Sequence, residues 1–123
     1  MSTYFIDIDG TIVKNLSCDQ LELIYENSTY IEELLYGVEH FFKTRKEDDK
    51  IFFTTARSEK YREFTERTLK YHDIKYSQII MDLPMGARYL INDLPNILYN
   101  KAVGINLLRD TGFGDTFIFE SDF

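Results

Sequence analysis

The chain has 123 residues, with 21 acidic against 14 basic side chains and a formal net charge of −7. That length fits one domain, 1–123, large enough to bury its own core; with 44% hydrophobic and 15% aromatic residues and only six Gly and two Pro, it excludes a disordered or low-complexity chain. The negative balance argues against a protein held on nucleic acid by a general basic field, and no run approaches the ~18 uninterrupted apolar residues of a membrane span, so neither partner is expected. Cys18 is the lone cysteine. It admits no intramolecular disulfide, and with no signal-like start the expected compartment is a reducing cytoplasm.

In chain order, residues 3–8 read as a strand running into Asp9-Gly10. Residues 12–28 have no clean period and read as a flap. Ile31, Leu34, Leu35, Val38, Phe41 and Phe42 follow the helical i, i+3, i+4, i+7 spacing, so 30–46 is expected as a helix. Thr29 and Glu32 would form its capping box, with Lys43, Arg45 and Lys46 near its C-terminal end. Residues 51–55 are a β-rich run. A second helix is expected from Ser58 to His72, with Tyr61, Phe64, Thr68 and Leu69 inward. Further strands are expected at 77–81, 88–92 and 102–107, with a short helix at 95–100. Phe113, Phe117, Phe119 and Phe123 are read as cover for a sheet edge or a partner subunit.

This alternation predicts an α/β fold with a mostly parallel, five-stranded, Rossmann-like sheet. Ligands in such sheets bind beyond the C-terminal strand ends, so Asp7, Asp9, Thr55 and Asp93 are the residues to weigh. Strand alternation puts Asp7 and Asp9 on one face. Two carboxylates so close repel unless a cation joins them, and an oxygen-only set suits Mg²⁺, which takes one or two carboxylates plus water and phosphate. Gly10 permits the tight exit from the strand. Thr55, in Thr54-Thr55-Ala56-Arg57, offers a hydroxyl to a phosphate oxygen beside backbone N–H groups. Asp93, after Leu90-Ile91-Asn92, reads either as a turn residue before Leu94-Pro95 or as the group that would complete a cation site.

Asp7-Ile8-Asp9-Gly10-Thr11, Thr54-Thr55-Ala56-Arg57 and Leu90-Ile91-Asn92-Asp93, in that order and each at a strand end, resemble the motifs of the haloacid dehalogenase-like (HAD) phosphohydrolase superfamily. The likeness covers about residues 3–108. It implies a three-layer α/β/α sandwich and a Mg²⁺-dependent phosphatase acting on a phosphate monoester through an aspartyl-phosphate. Asp7 would be nucleophile and metal ligand. Asp9 would be general acid and base, with its backbone carbonyl on the metal. Thr55 would hold phosphate and Asp93 would complete the metal set. An acid at Asp9 favours phosphate transfer to water over dehalogenation. The family's motif Lys is missing: Leu83 stands near its place, and Arg88 is the nearest cation that could bind phosphate instead, ahead of Lys75 and Lys101. Arg is a planar fork rather than a point charge, so that exchange is not conservative.

Only the flap separates the first motif from the first helix, so a cap-free member is expected. An open site of that kind suits a macromolecular phosphate, or a small substrate enclosed by a neighbouring copy in a homo-oligomer. The Thr-Ala-Arg and Leu-Ile-Asn-Asp segments look most like small members of surface-polysaccharide and sugar-phosphate metabolism, which points to a small phosphorylated substrate such as a phosphosugar. Arg57, Lys60 and Arg62 are read as a local basic patch that would serve a nucleic-acid end. The missing Lys leaves a competing expectation, a non-catalytic HAD-like binding or regulatory protein.

Overall fold

A computed structural model describes residues 1–114; Phe117, Phe119 and Phe123 lie outside the described residues. The chain folds as α/β around a parallel sheet of three strands, β1 (Thr3–Asp7), β2 (Lys50–Thr54) and β3 (Gln78–Ile80), in the order β1-β2-β3. Register runs Tyr4 to Ile51, Ile6 to Phe53 and Phe53 to Ile79. These residues therefore share a face, and Ile6, Ile51, Phe53 and Ile79 are its buried members.

That face carries the core. The helix α2 (Val38–Lys43) sets Phe41 edge-on to Tyr4 and packs Phe42 against Phe53. The helix α3 (Arg62–Tyr71) sends Leu69 into the same cluster. Both crossovers step in one direction across the sheet, and right-handed connections of that kind lie on the same side. The opposite face is open: Phe5 is 55% exposed, stacked on Phe52 at 5.4 Å, and Ile80 is half-exposed.

The helix expected over 30–46 is realised only as α2. Its predicted first half is irregular: Leu35 N–H donates to the Ile12 carbonyl at 2.8 Å, and Leu34 bridges Val13. Thr29 is not a helix cap, because its N–H and Oγ1 both bond Asn27 Oδ1. Glu32 is buried rather than solvent-facing. Of the apolar spacing, Val38 and Phe41 are buried and Ile31, Leu34, Leu35 and Phe42 only partly so, and tertiary partners draw 30–36 out of helical geometry. The chain enters α2 through Gly37 at φ +77°, a conformation that a Cβ would strain.

A capping box does occur within the expected flap. Ser17 accepts from Gln20 N–H, and the Gln20 side chain accepts from Ser17 N–H, heading the helix α1 (Cys18–Tyr25). The expected helix from Ser58 appears as a single 3₁₀ turn, Glu59–Tyr61, leading into α3, which buries Phe64, Thr65, Thr68 and Leu69.

Residues 88–92 and 102–107 form no strand, and 95–100 forms a turn bridged between Asn96 and Tyr99 rather than a helix. Ile91, Ile97 and Leu98 are nearly fully exposed there. Farther on, Asp110 N–H donates to the Gly10 carbonyl and Phe113 N–H to the Tyr36 carbonyl, so this segment returns to the core. Phe113 is buried edge-on to Phe41 rather than over a sheet edge. Among the described residues, no helix is long and apolar enough to cross a membrane.

Candidate active site at the strand ends

Asp7 is the last residue of β1, paired in register with Thr54. Beyond it the chain turns sharply. Thr11, Ile12 and Val13 N–H groups all donate to the Ile8 carbonyl, and Gly10 N–H donates to the Val13 carbonyl. Gly10 sits at φ +80° with the Arg109 side chain against it, so a side chain there would be strained and crowded. This turn brings Thr11 Oγ1 back to donate to Asp7 Oδ2 at 3.2 Å. Burial pushes the Asp7 carboxyl above its ordinary value, more than the Thr11 and Ile8 hydrogen bonds and the Arg88 charge pull it down; Asp9 adds to the rise. Among the described residues Asp7 makes no ion pair. A half-buried carboxylate of this kind can attack an electrophile or take a cation.

Asp9 is anchored instead. Arg57, whose side chain is fully buried, donates from Nε to Asp9 Oδ2 at 3.0 Å and from Nη2 to Asp9 Oδ1 at 2.9 Å. The same guanidinium donates to both Glu32 oxygens at 2.7 and 3.0 Å and to Thr65 Oγ1 at 2.9 Å. Burial raises the Glu32 carboxyl against the pull of Arg57, and Arg57 is held protonated by its two acidic partners. Glu32 also accepts a hydrogen bond from His72 at its carbonyl, at 2.7 Å. A carbonyl can only accept, so His72 carries its proton on Nε2.

Thr55 follows β2 and is fully buried. Its Oγ1 accepts from Arg57 N–H at 3.0 Å, its N–H donates to Ile80 and its carbonyl accepts from Leu83. Asp7, Asp9 and Thr55 thus lie together at the C-terminal end of the sheet. Arg88 is exposed. It bonds the Gly86 carbonyl at 3.3 Å, and its charge reaches Asp7. Asp93 is not brought in: it is exposed and paired with Lys101 at 3.2 Å. No group of three or more acidic, His or Cys side chains able to hold a metal occurs among the described residues. The hard oxygens at this turn are the Asp7 carboxylate and the Asp9 carbonyl, which takes part in none of the hydrogen bonds closing the turn. By their chemistry they would suit a Mg²⁺ ion that keeps water and phosphate as its other ligands.

The basic patch does not form. Arg57 is buried, Lys60 is paired with Glu22 at 2.7 Å, and Arg62 is paired with Glu59. Two contributors were not anticipated. Glu32 was hidden by its apparent capping role. Arg109 follows the last apolar run with no motif around it, and only the folded chain lays it on Gly10. A surface depression of about 630 Å³ lies between α3 and residues 73–76 and is lined by none of the candidate site residues.

No protein-family model, curated protein or solved structure matches the chain.

Proposed function

We propose that the protein is a Mg²⁺-dependent, HAD-like phosphatase that hydrolyses a small phosphate monoester, such as a phosphosugar, through an aspartyl-phosphate. The observation that carries this reading is the half-buried Asp7 at the end of a parallel strand, beside Asp9 and Thr55 and without an ion-pair partner among the described residues. On this reading Asp9 first takes a proton from the monoprotonated ester; an Asp7 oxygen attacks phosphorus, and the bond from phosphorus to the leaving oxygen breaks while Asp9 delivers that proton to it. Asp9 then takes a proton from water as the water attacks the aspartyl-phosphate. Phosphate leaves and the Asp7 carboxylate is restored. Backbone N–H groups at the strand end would hold the phosphoryl oxygens, with Arg88 closing over them, and Thr55, fully buried, would join them only once its hydroxyl is uncovered. Offsetting the repulsion between Asp7 and the phosphate is the chemistry that Mg²⁺ supplies when bound by Asp7 and the Asp9 carbonyl. Asp93 would join them only after leaving Lys101.

The five-stranded, three-layer sandwich belongs to the same proposal. Residues 88–92 and 102–107 would extend the sheet from the open edge of β1.

Release of p-nitrophenol from p-nitrophenyl phosphate, dependent on Mg²⁺ and abolished by Asp7→Asn, is the expected result. A second reading, a non-catalytic binding protein of the same class, is favoured by the clamp of Arg57 on Asp9 and by the distant Asp93. Absence of release across a panel of phosphate esters, with Mg²⁺ still bound, would select it.

A further inference from the structure

We infer that Arg57 is the positioning residue for Asp9, held in place by Glu32 and Thr65; the inference rests on the phosphatase reading and deepens its account of proton transfer. A guanidinium carries five N–H donors in a fixed fork. In Arg57, Nε and one Nη2 proton go to Asp9, the other Nη2 proton and one Nη1 proton go to Glu32, and the last goes to Thr65. Nothing remains for a phosphate, so the basic residue that follows the Thr-Thr-Ala run is no phosphate ligand.

The fork is fixed on every side. Arg57 N–H is tied to Thr55 Oγ1 and its carbonyl accepts from Asp82 N–H at 2.8 Å. Its guanidinium lies 5.3 Å from the Phe64 ring centroid. Asp9, by contrast, has a side chain 19% exposed. Its Oδ2 accepts from Nε at 3.0 Å, and its Oδ1 accepts from Nη2 at 2.9 Å and shares Nε at 3.2 Å, which leaves the carboxylate gripped yet partly open to solvent. The arrangement therefore aims a carboxylate from a buried anchor toward the open strand end, and Glu32 keeps the fork from turning. The other charges around it are Asp7 on β1, Arg109 against Gly10 and, farther out, Arg88.

Leaving-group dependence separates aiming from mere stability. Phenyl phosphate needs a proton on its departing oxygen; p-nitrophenyl phosphate departs as the anion. Lys keeps the charge of Arg57 but loses the fork. Arg57→Lys is expected to lower kcat/KM, which reports only the steps through departure of the leaving group, by about a hundredfold on phenyl phosphate, within the range of general acid catalysis. On p-nitrophenyl phosphate the loss in kcat/KM should be about threefold, and the change should add almost nothing in an Asp9→Asn background. Equal losses on both esters would make Arg57 a purely structural residue and overturn the inference. Should Arg57→Lys not fold, Glu32→Gln, which loosens the same fork, is read the same way.

A wild-type protein that turns over neither ester removes the phosphatase reading, and carboxylate carbon NMR then decides the positioning claim. The Asp9 signal is assigned by its loss in Asp9→Asn. Its displacement in Arg57→Lys, with the Asp7 signal unmoved, supports the anchor; an unmoved Asp9 signal overturns it.

Discussion

Asp7 and Asp9 are two residues apart, yet their surroundings differ in kind. Asp7 is half-buried with a threonine hydroxyl for company, and burial lifts its carboxyl above the ordinary value. Asp9 is gripped by a buried guanidinium. That difference would suit the proposed division of labour between nucleophile and proton carrier. The pairing of the two residues is legible in the chain, because strand alternation and Gly10 leave few other geometries. The fate of Arg57 is not, since a cation after a Thr-rich strand end reads equally as surface or anchor. Only the long-range meeting with Glu32 decides it. Arg88 acts on Asp7 through its charge, from an exposed position. Arg88→Ala is therefore expected to lower kcat/KM about tenfold at low salt, with the loss shrinking as salt screens the wild-type interaction. Kinetics equal to wild type at low salt would leave Arg88 a solvent-facing residue.

Between elements, the linkage that departs most from expectation joins α1 to the 3₁₀ turn before α3. Glu22 accepts from Lys60 Nζ at 2.7 Å and from Tyr61 Oη at 2.6 Å, and Lys60 also lies over the Tyr25 ring. The Lys60 and Tyr61 hydrogen bonds hold the Glu22 carboxyl below its ordinary 4.5. A carboxyl lowered in the folded state contributes stability above its unfolded value, and that contribution is lost as pH falls through the folded value. Glu22→Gln should thus lower Tm at about pH 7 and by a smaller amount at about pH 3, where the wild type is losing the same contribution. Equal shifts at both would deny the pair a charge-dependent role. The α1 helix itself could have been found: Ser17 and Gln20 carry the capping-box spacing. The Thr29–Glu32 signature has the same spacing and heads no helix, because Glu32 meets Arg57 only in three dimensions.

At the scale of the molecule, the strand order places both packed helices on one side and leaves β1 as an edge with an open face beside it. The first three strands were legible because each is short, β-rich and closed by turn residues. The run at 88–92 has similar residues, but β propensity expresses itself only where a neighbouring edge and a packed face receive it, and in this structure Ile91 faces solvent. If the proposed extension to five strands holds, amides of 88–92 and 102–107 should exchange with solvent as slowly as those of β1. Rapid exchange over both segments would leave the sheet at three strands.

The account turns on Asp7 as the group that carries the phosphoryl. Acid quench of the protein mixed with Mg²⁺ and p-nitrophenyl phosphate, followed by peptide mass spectrometry, reads this directly. The account predicts an acid-stable phosphoryl adduct on Asp7 that is absent without Mg²⁺ and absent in Asp7→Asn. Turnover with no adduct on Asp7, or with an adduct on another residue that persists in Asp7→Asn, would contradict it.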